Sequence, residues 1–261
     1  MKSKVLAFET IGIANRTEKP RDVGLTMVLD KGLGYHAAQD LVEYTSEYID
    51  IIKLGWGTHR LCSEEVVKRK IQLYTDNSIM VCNGGTLFEI AYQQRRTDDF
   101  FEYAHQIGLR AIEISDGSIR ISRAERSEII RKCKNMGFEV FTEVGKKNPL
   151  EDAKLSLDYR IKEAKSDMDA GATKVIIEAR ESGKGIGVYD KEGKIKEDMV
   201  KKLIEGIGLN EIMFEAPKKS QQVYFILNLG PEVNLGNIKP EDVIPLETLR
   251  RGLRGDTFGK I

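Results

Sequence analysis

The chain has 261 residues, about the length that one α/β barrel requires. Its 41 basic residues are balanced by 41 acidic residues, which excludes a general electrostatic attraction for nucleic acid or for an anionic membrane. The sequence contains no apolar run of about 20 residues, which a membrane-spanning helix needs, and residues 1–10 do not resemble a secretory signal. The three cysteines are widely spaced, so we expect reduced thiols and a cytoplasmic protein.

In chain order, short runs of β-branched, aromatic and aliphatic residues alternate with segments of helical periodicity. The sequence predicts strands at about 24–30, 49–55, 79–83, 111–115, 139–144, 174–179, 211–215 and 232–236. It predicts helices near 39–48, 63–74, 98–107, 122–136, 156–170, 196–206, 218–229 and 245–253. These eight pairs predict the α/β class and a single-domain (β/α)8 TIM barrel over 24–261, after an N-terminal extension over 1–23. A doubly wound open sheet is the alternative, but it more often carries a glycine-rich loop after its first strand.

A repeated unit supports the barrel prediction. Four times a helical pattern ends at a glycine, a short β-rich run follows, and the run closes on a glutamate, at residues 108–113, 137–143, 171–178 and 208–215. Glycine just past a helix tolerates the left-handed conformation that ends it, and the residues that follow suit a buried parallel strand. The unit therefore predicts several glutamates at the carboxyl ends of neighbouring strands.

Charged residues at these strand ends predict the active site, because the carboxyl ends of barrel strands carry catalytic groups. Converging carboxylates beside lysines and arginines are typical of a site for a hard metal next to an anion, and Mg²⁺ takes oxygen ligands. Salt bridges that close the barrel mouth are the alternative interpretation. His36, His59 and His105 are scattered, which argues against zinc. The predicted metal ligands are Glu143, Glu178 and Glu215, followed by Asp116 and Asp30.

Two glycine-containing segments are candidate anion sites. Residues 181–188 offer backbone N–H groups together with Lys184, although a flexible turn is an equal alternative because no Walker pattern is present. Residues 250–257 carry Arg250, Arg251 and Arg254, which could form a guanidinium fork for phosphate in their own barrel or across a subunit interface. The alternative is a basic helix end that caps backbone carbonyls.

Longer motifs resemble one known family, the phosphosulfolactate synthases. They occur in order at residues 29–33 (LDKGL), 53–58 (KLGWGT), 84–89 (GGTLFE), 113–118 (EISDGS), 142–147 (TEVGKK), 175–187 (VIIEARESGKGIG), 214–222 (FEAPKKSQQ) and 246–260 (LETLRRGLRGDTFGK). The resemblance extends from about residue 24 to the end of the chain, and motifs this numerous are specific.

The resemblance implies a magnesium-dependent lyase that forms homo-oligomers, a trimer or a multiple of one. Its substrates would be phosphoenolpyruvate and sulfite, and its product (2R)-phospho-3-sulfolactate, for coenzyme M or a sulfolactate store. Lys147, two residues beyond Gly145, is the candidate general acid, with Lys146 as the alternative. We expect the pKa of this lysine to be lowered by nearby cations and metal. The cations left to bind phosphate and sulfite are Lys53, Arg180, Lys184, Arg250, Arg251 and Arg254.

Three other functions compete with this one. A barrel lysine could form a Schiff base, as in class I aldolases, but clustered carboxylates argue against that reaction. A non-catalytic stress-associated member of the family is the second alternative, although such a protein would be expected to lose some costly buried charges. A nucleic-acid binder is disfavoured because Trp56 lies in a tight turn and no basic stripe is interleaved with aromatic residues.

Overall fold

The computed structural model describes residues 7–261 and contains eight parallel strands that form one closed barrel. Each strand pairs with its neighbours in chain order, and the last strand pairs with the first. The single-domain (β/α)8 prediction is therefore confirmed, and the open doubly wound sheet is wrong. The strands are β1 (Thr26–Asp30), β2 (Ile51–Leu54), β3 (Met80–Asn83), β4 (Ala111–Ile114), β5 (Glu139–Val144), β6 (Lys174–Ile177), β7 (Ile212–Glu215) and β8 (Leu235–Ile238).

Helices surround the barrel, and two of them begin at the predicted caps. The Ser63 and Ser122 side chains accept hydrogen bonds from backbone N–H groups in the first turns of their helices. None of the helices in residues 7–261 is long and apolar enough to cross a membrane. The helices are α1 (Tyr35–Thr45), α2 (Glu64–Asp76), α3 (Gly85–Gln93), α4 (Thr97–Gln106), α5 (Arg123–Asn135), α6 (Pro149–Asp152), α7 (Leu157–Asp169), α8 (Glu197–Ile207), α9 (Lys219–Leu229) and α10 (Val243–Arg250).

The predicted elements differ from the structure at several boundaries and lack two helices, α3 and the four-residue α6. Helix α1 begins at Tyr35 and not near residue 39, and β8 begins at Leu235 and not near 232. Helix α3 was not predicted at all, because the glycine pair Gly84–Gly85 at its start is more typical of a loop than of a helix. The β3–α4 connection therefore contains an extra helix, which begins directly above the barrel.

Alternation along the strands sorts side chains into two sets, one inside the barrel and one facing the helices. An apolar layer inside the barrel includes Ile51, Ala111, Phe141, Ile176 and Met213. Residues two positions further along the same strands must also point inward, one layer closer to the carboxyl ends. Those residues are Lys53, Glu113, Glu143, Glu178 and Glu215, and all five are buried.

The described part of the predicted extension, residues 7–23, contacts the amino ends of the strands; residues 1–6 lie outside the described residues. Arg16 donates hydrogen bonds to Glu247 and to the carbonyl oxygen of Gly24, just before β1. Arg21 pairs with Asp50, whose carboxylate also accepts from the backbone N–H of Thr26. The extension is thus attached to the end of the barrel opposite the glutamate layer.

Arg126 of α5 is fully buried and joins the helices to the upper part of the barrel. Its guanidinium lies 2.8 Å from Asp167 of α7 and 3.3 Å from Asp116. It also donates a hydrogen bond of 3.0 Å to the carbonyl oxygen of Glu143 in β5. Removal of this side chain would leave the buried carboxylate of Asp167 without its ion-pair partner.

We therefore expect Arg126→Met to lower the free energy of unfolding by about 3–5 kcal/mol, the usual result of breaking a buried ion pair. Urea unfolding followed by circular dichroism measures this change. Arg131→Met, at an exposed position of the same helix, is the matched control and should change stability by no more than about 0.5 kcal/mol. Equal stability of the two variants would contradict a structural role for Arg126.

Candidate active site

Three glutamates meet at the carboxyl end of the barrel. Glu143 is the second-last residue of β5, Glu178 directly follows β6, and Glu215 is the last residue of β7. One carboxylate oxygen from each residue lies within 4.8 Å of the others, and all three side chains are buried. The structure thus brings together the three residues that head the predicted metal set.

Lys53 of β2 supplies positive charge on the opposite side of this cluster. Its Nζ lies 2.7 Å from an oxygen of Glu113 and 3.1 Å from an oxygen of Glu215. Burial disfavours the ammonium, but Glu113 and Glu215 outweigh burial and raise the pKa of Lys53 well above its usual value. Lys53 therefore remains a cation at neutral pH.

The same charges set the protonation of the carboxyl groups. Burial, together with Glu143 and Glu215, raises the pKa of Glu178 well above its usual range. Burial also disfavours the anion of Glu143, but Lys147, Lys53 and hydrogen bonds from Glu178 and Ser115 lower its pKa to about 2. Glu178 is thus the protonated member of the pair, and a cation bound between the two residues would take the place of its proton.

The donor set fits a hard divalent cation. Carboxylate and amide oxygens are the ligands that Mg²⁺ prefers. Among residues 7–261, the buried Asn237 Oδ1 has no hydrogen-bond partner, and Asn237 lines the same cavity as the three glutamates. Such an acceptor is costly to bury unless a donor or a cation reaches it. The geometry is therefore suited to a cation held by oxygen atoms.

Lys147 occupies the wall of the cavity, on the loop after β5. Its Nζ lies 2.8 Å from Glu89 Oε1 and 3.0 Å from Thr86 Oγ1, both on α3. Burial lowers the pKa of Lys147, but Glu143, Glu89 and the hydrogen bond to Glu89 outweigh it and raise the pKa above its usual value. The expectation of a lowered pKa assumed nearby cations and a bound metal, whereas the groups that act on this lysine in the structure are carboxylates.

Two cavities meet at Lys147 and Arg180. The inner one has a volume of about 80 Å³ and is lined by the glutamates, Lys53 and Asn237. The outer cleft measures about 700 Å³, and Arg120 and Lys146 are among its lining residues. Arg180 is exposed at the boundary and donates a hydrogen bond of 2.9 Å to the carbonyl oxygen of Lys147. The outer cleft is predominantly cationic, which suits the anionic part of a ligand.

Three non-glycine residues around the inner cavity have strained backbone conformations. Trp56, Arg180 and Asn237 have φ values of 51°, 59° and 54°, in the left-handed region that few residues other than glycine adopt. All three line the inner cavity. Strained conformations of this kind are characteristic of functional sites, where the surrounding structure must hold them in place.

Asp116 and Asp30 do not join the predicted metal site. Each has the outward orientation, because each comes one residue after an inward position of its strand. Asp116 lies 3.3 Å from Arg126 and 2.6 Å from Lys146, and Asp30 lies 2.6 Å from Lys70. The structure therefore does not bring Asp116 and Asp30 together with the three glutamates.

Lys146 is also tied to the surrounding loop. Its Nζ donates to the carboxylate and carbonyl oxygen of Asp116 and to the carbonyl oxygen of Ile119. The adjacent Lys147 points towards the glutamates, as expected for neighbouring positions on a turn. The geometry therefore favours Lys147 over Lys146 as the lysine that contacts a substrate.

The glycine-rich segment after β6 folds on itself. The N–H groups of Gly185 and Gly187 donate to the carbonyl oxygen of Asp190 and to the carboxylate of Asp152. Lys184 is exposed and does not line either cavity described above. The structure thus favours the alternative interpretation of this segment as a turn.

The C-terminal arginines lie away from the glutamate cluster of their own barrel. Arg250 is fully buried and donates to the carbonyl oxygens of Leu25 and Val233, at the amino ends of β1 and β8. Arg251 pairs with Glu247, and Arg254 lies 3.8 Å from Asp256. The structure thus places these arginines away from the mouth of their own barrel, and Arg250 caps carbonyls at the opposite end.

Sequence reasoning missed two residues of the site, Glu89 and Arg120. Glu89 lies on α3, a helix that was not predicted, and its side chain is buried. A glutamate within the apolar run 87–92 is the signal that could have identified it, because an isolated buried carboxylate is costly. Arg120 follows β4 in a loop whose direction the sequence does not reveal.

Comparisons with known proteins identify the family of this chain. A family model for (2R)-phospho-3-sulfolactate synthase (ComA) matches residues 14–256. Phosphosulfolactate synthase of Methanocaldococcus jannaschii is 54% identical over 91% of this chain and 95% of its own. The enzyme of the same name from Methanothermobacter thermautotrophicus is 48% identical over 94% and 95% of the two chains. Protein HEAT-STRESS-ASSOCIATED 32 of Arabidopsis thaliana is only 23% identical, over 90% of this chain and 88% of its own.

Among solved structures, 3-hexulose-6-phosphate synthase from Salmonella typhimurium superimposes with a TM-score of 0.55 over 90% of this chain and 94% of its own. At 14% sequence identity this similarity shows the barrel fold alone. The family model and the 54% identity are far more specific, since they extend across both the barrel and its mouth. The chain belongs to the (2R)-phospho-3-sulfolactate synthase family.

Proposed function

We propose that this chain is a Mg²⁺-dependent lyase that adds sulfite to phosphoenolpyruvate and forms (2R)-phospho-3-sulfolactate. The observation that supports it best is the cluster of Glu143, Glu178 and Glu215 beside the ammonium of Lys147. A carboxylate site for a cation, a proton donor and a cationic cleft are what the addition of one anion to another requires.

Charge repulsion is the first obstacle to this reaction, since both substrates are anions. Arg120 and Arg180 at the outer cleft, and Lys53 on the floor of the inner cavity, offer positive charge on both sides of Lys147. We assign anion binding to these three residues. Holding the two substrates in contact converts a repulsive encounter into an intramolecular step.

The chemical step forms a carbon–sulfur bond. The sulfur lone pair attacks C3 of the enol double bond, and negative charge develops on C2 and the adjoining carboxylate. When bound, Mg²⁺ supplies positive charge that stabilises this developing charge. Lys147 then transfers a proton from Nζ to C2, and the face from which it approaches sets the configuration at C2.

The remaining assignments follow from the family and from particular features of the surface. A cytoplasmic location is supported by the three free thiols, Cys62, Cys82 and Cys133. Exposed Phe8 and Phe258 support self-association, and the family resemblance suggests a trimer or a multiple of one.

The competing functions fit the site less well. A Schiff-base lysine must lose its proton to attack a carbonyl, whereas the carboxylates around Lys53 and Lys147 raise the pKa of both. The stress-associated relative is distant, and this chain retains the charged groups that a non-catalytic protein would have no need to bury.

We expect Lys147→Ala to lower kcat/KM by about 10²–10⁴-fold, because general-acid catalysis typically contributes that much. Phosphorus NMR of purified protein with phosphoenolpyruvate, sulfite and Mg²⁺ measures the product, and a chelator is added in a parallel sample. Lys162→Ala, at an exposed position of α7, is the control and should retain activity. Full activity of Lys147→Ala would disprove its role, and no product from the wild-type protein with any metal would favour the non-catalytic alternative.

We expect Mg²⁺ binding to release a proton, because the pKa of Glu178 is raised and its carboxyl group must ionise to ligate a cation. The protonated fraction of Glu178 rises as pH falls. Protons then compete more strongly with Mg²⁺, so the apparent Mg²⁺ affinity should weaken at lower pH. Titration calorimetry in two buffers of different ionisation enthalpy measures the released proton.

Glu178→Gln should weaken Mg²⁺ binding and abolish proton release, whereas the exposed Glu205→Gln should do neither. Affinity that does not depend on pH, with no proton released, would contradict a metal site between Glu143 and Glu178.

A further inference from the structure

The stem of Lys147 is held along its length by the loop after β4. The backbone N–H of Lys147 donates to the carbonyl oxygen of Gly117 at 3.0 Å. A Cβ at Gly117 would lie 3.0 Å from Cγ of Lys147 and 3.1 Å from its Cε, so the stem lies directly against the glycine. A larger residue at position 117 would push the stem away. Packing against Gly117 therefore sets the direction of the aliphatic part of Lys147. The position of its ammonium group depends on the polar groups that contact Nζ.

Those partners come from α3 and not from a barrel strand. Thr86 Oγ1 and Glu89 Oε1 are 3.0 Å and 2.8 Å from Lys147 Nζ. Glu143 and Glu178 also act on the lysine through their charge, and Arg180 binds its carbonyl oxygen. Glu89 is thus the carboxylate that makes a direct ion pair with Lys147 in the described chain.

Glu89 has a second contact that links it to the glutamate cluster. Ser115 Oγ lies 2.6 Å from Glu89 Oε1 and 2.7 Å from Glu143 Oε1, so it bridges the two residues. The other oxygen of Glu89 is buried and has no hydrogen-bond partner among residues 7–261. A buried carboxylate with an unsatisfied oxygen is poor for stability, which favours a functional reason for its presence.

We propose that Glu89 is a positioning residue, which holds the ammonium of Lys147 at the cavity wall for proton transfer to the substrate. The inference rests on the proposed role of Lys147. Glu89 acts through the lysine and does not line the inner cavity itself. The proton that Lys147 gives to C2 is replaced by the one that hydrogensulfite carries into the site, so each turnover is balanced. Between turnovers, the anionic Glu89 favours return of the lysine to the ammonium form.

The first test compares Glu89→Gln, which removes the charge, with Glu89→Asp, which retains it on a shorter side chain. We expect Glu89→Gln to lower kcat by about tenfold or more with KM for phosphoenolpyruvate changed less than about threefold, and Glu89→Asp to recover part of the loss. The exposed Glu102→Gln on α4 is the control and should match the wild-type protein. If the wild-type protein is active and Glu89→Gln has a normal kcat, the positioning role of Glu89 is overturned and the proposed function still stands.

The pH dependence provides a readout that a merely structural role would not change. A general acid works only while protonated, so activity falls as pH rises through its pKa. Loss of the negative charge of Glu89 lowers the pKa of Lys147, and the alkaline limb of the kcat profile should move to lower pH. Acylation of Lys147 as a function of pH, followed by peptide mass spectrometry, measures the same pKa without turnover. An unchanged pKa in Glu89→Gln overturns the inference.

A double-mutant cycle separates action through Lys147 from an independent effect. If Glu89 acts through the lysine, Glu89→Gln should cost nothing further in a Lys147→Ala background. Additive losses would overturn the inference and leave the proposed function intact. If the wild-type protein forms no product, the proposed function fails and the catalytic meaning of Glu89 fails with it.

Discussion

Repulsion among glutamates in the mouth of the barrel is the constraint on which the site depends. Glu113, Glu143, Glu178 and Glu215 all point into one layer, where little water can solvate them. Four carboxylates cannot all be ionised there unless positive charge lies among them. Lys53 and Lys147 provide part of this charge, and the proton of Glu178 provides more. A divalent cation would complete the balance, which is why the same arrangement suits metal binding.

The outward set of charges performs a different task. Asp116 and Asp30 face the helices, where Arg126 and Lys146 bind the first and Lys70 binds the second. These pairs hold the loops that follow β1, β4 and β5 at defined positions above the barrel. The inward glutamates can therefore lie close together despite their repulsion, because the outward ion pairs keep the loops from moving apart. Arg126 joins the two sets, since it also binds the carbonyl oxygen of Glu143.

Groups that stabilise the fold lie at the amino ends of the strands, and groups suited to catalysis lie at the carboxyl ends. At the amino ends, Arg250 satisfies backbone carbonyls, and Arg16 and Arg21 attach residues 7–23 to Glu247 and Asp50. At the carboxyl ends, Trp56, Arg180 and Asn237 adopt left-handed backbone conformations around a cavity that the unsatisfied Oδ1 of Asn237 adjoins. This division is usual in barrel enzymes, where the loops at one end can change without disturbing the other. The family relationship, which covers both ends, therefore carries information on fold and chemistry together.

The amino-acid sequence by itself determined the architecture and the residues at the centre of the site. Eight alternating elements predict the barrel, and the glycine-to-glutamate unit predicts Glu143, Glu178 and Glu215 at its mouth, because strand ends of a closed barrel must converge. The same reasoning did not reveal that Asp116 turns away from the three glutamates, since a shift of one residue along a strand reverses the direction of a side chain.

Only the tertiary structure could decide contacts between residues far apart in the chain. Arg250 lies in a family motif, yet its partners Leu25 and Val233 come from the amino ends of other elements. Glu89 reaches Lys147 across 58 positions, through a helix whose glycine-rich start concealed it. Local periodicity reports the face on which a residue lies, but the partner that balances its charge depends on how the elements pack.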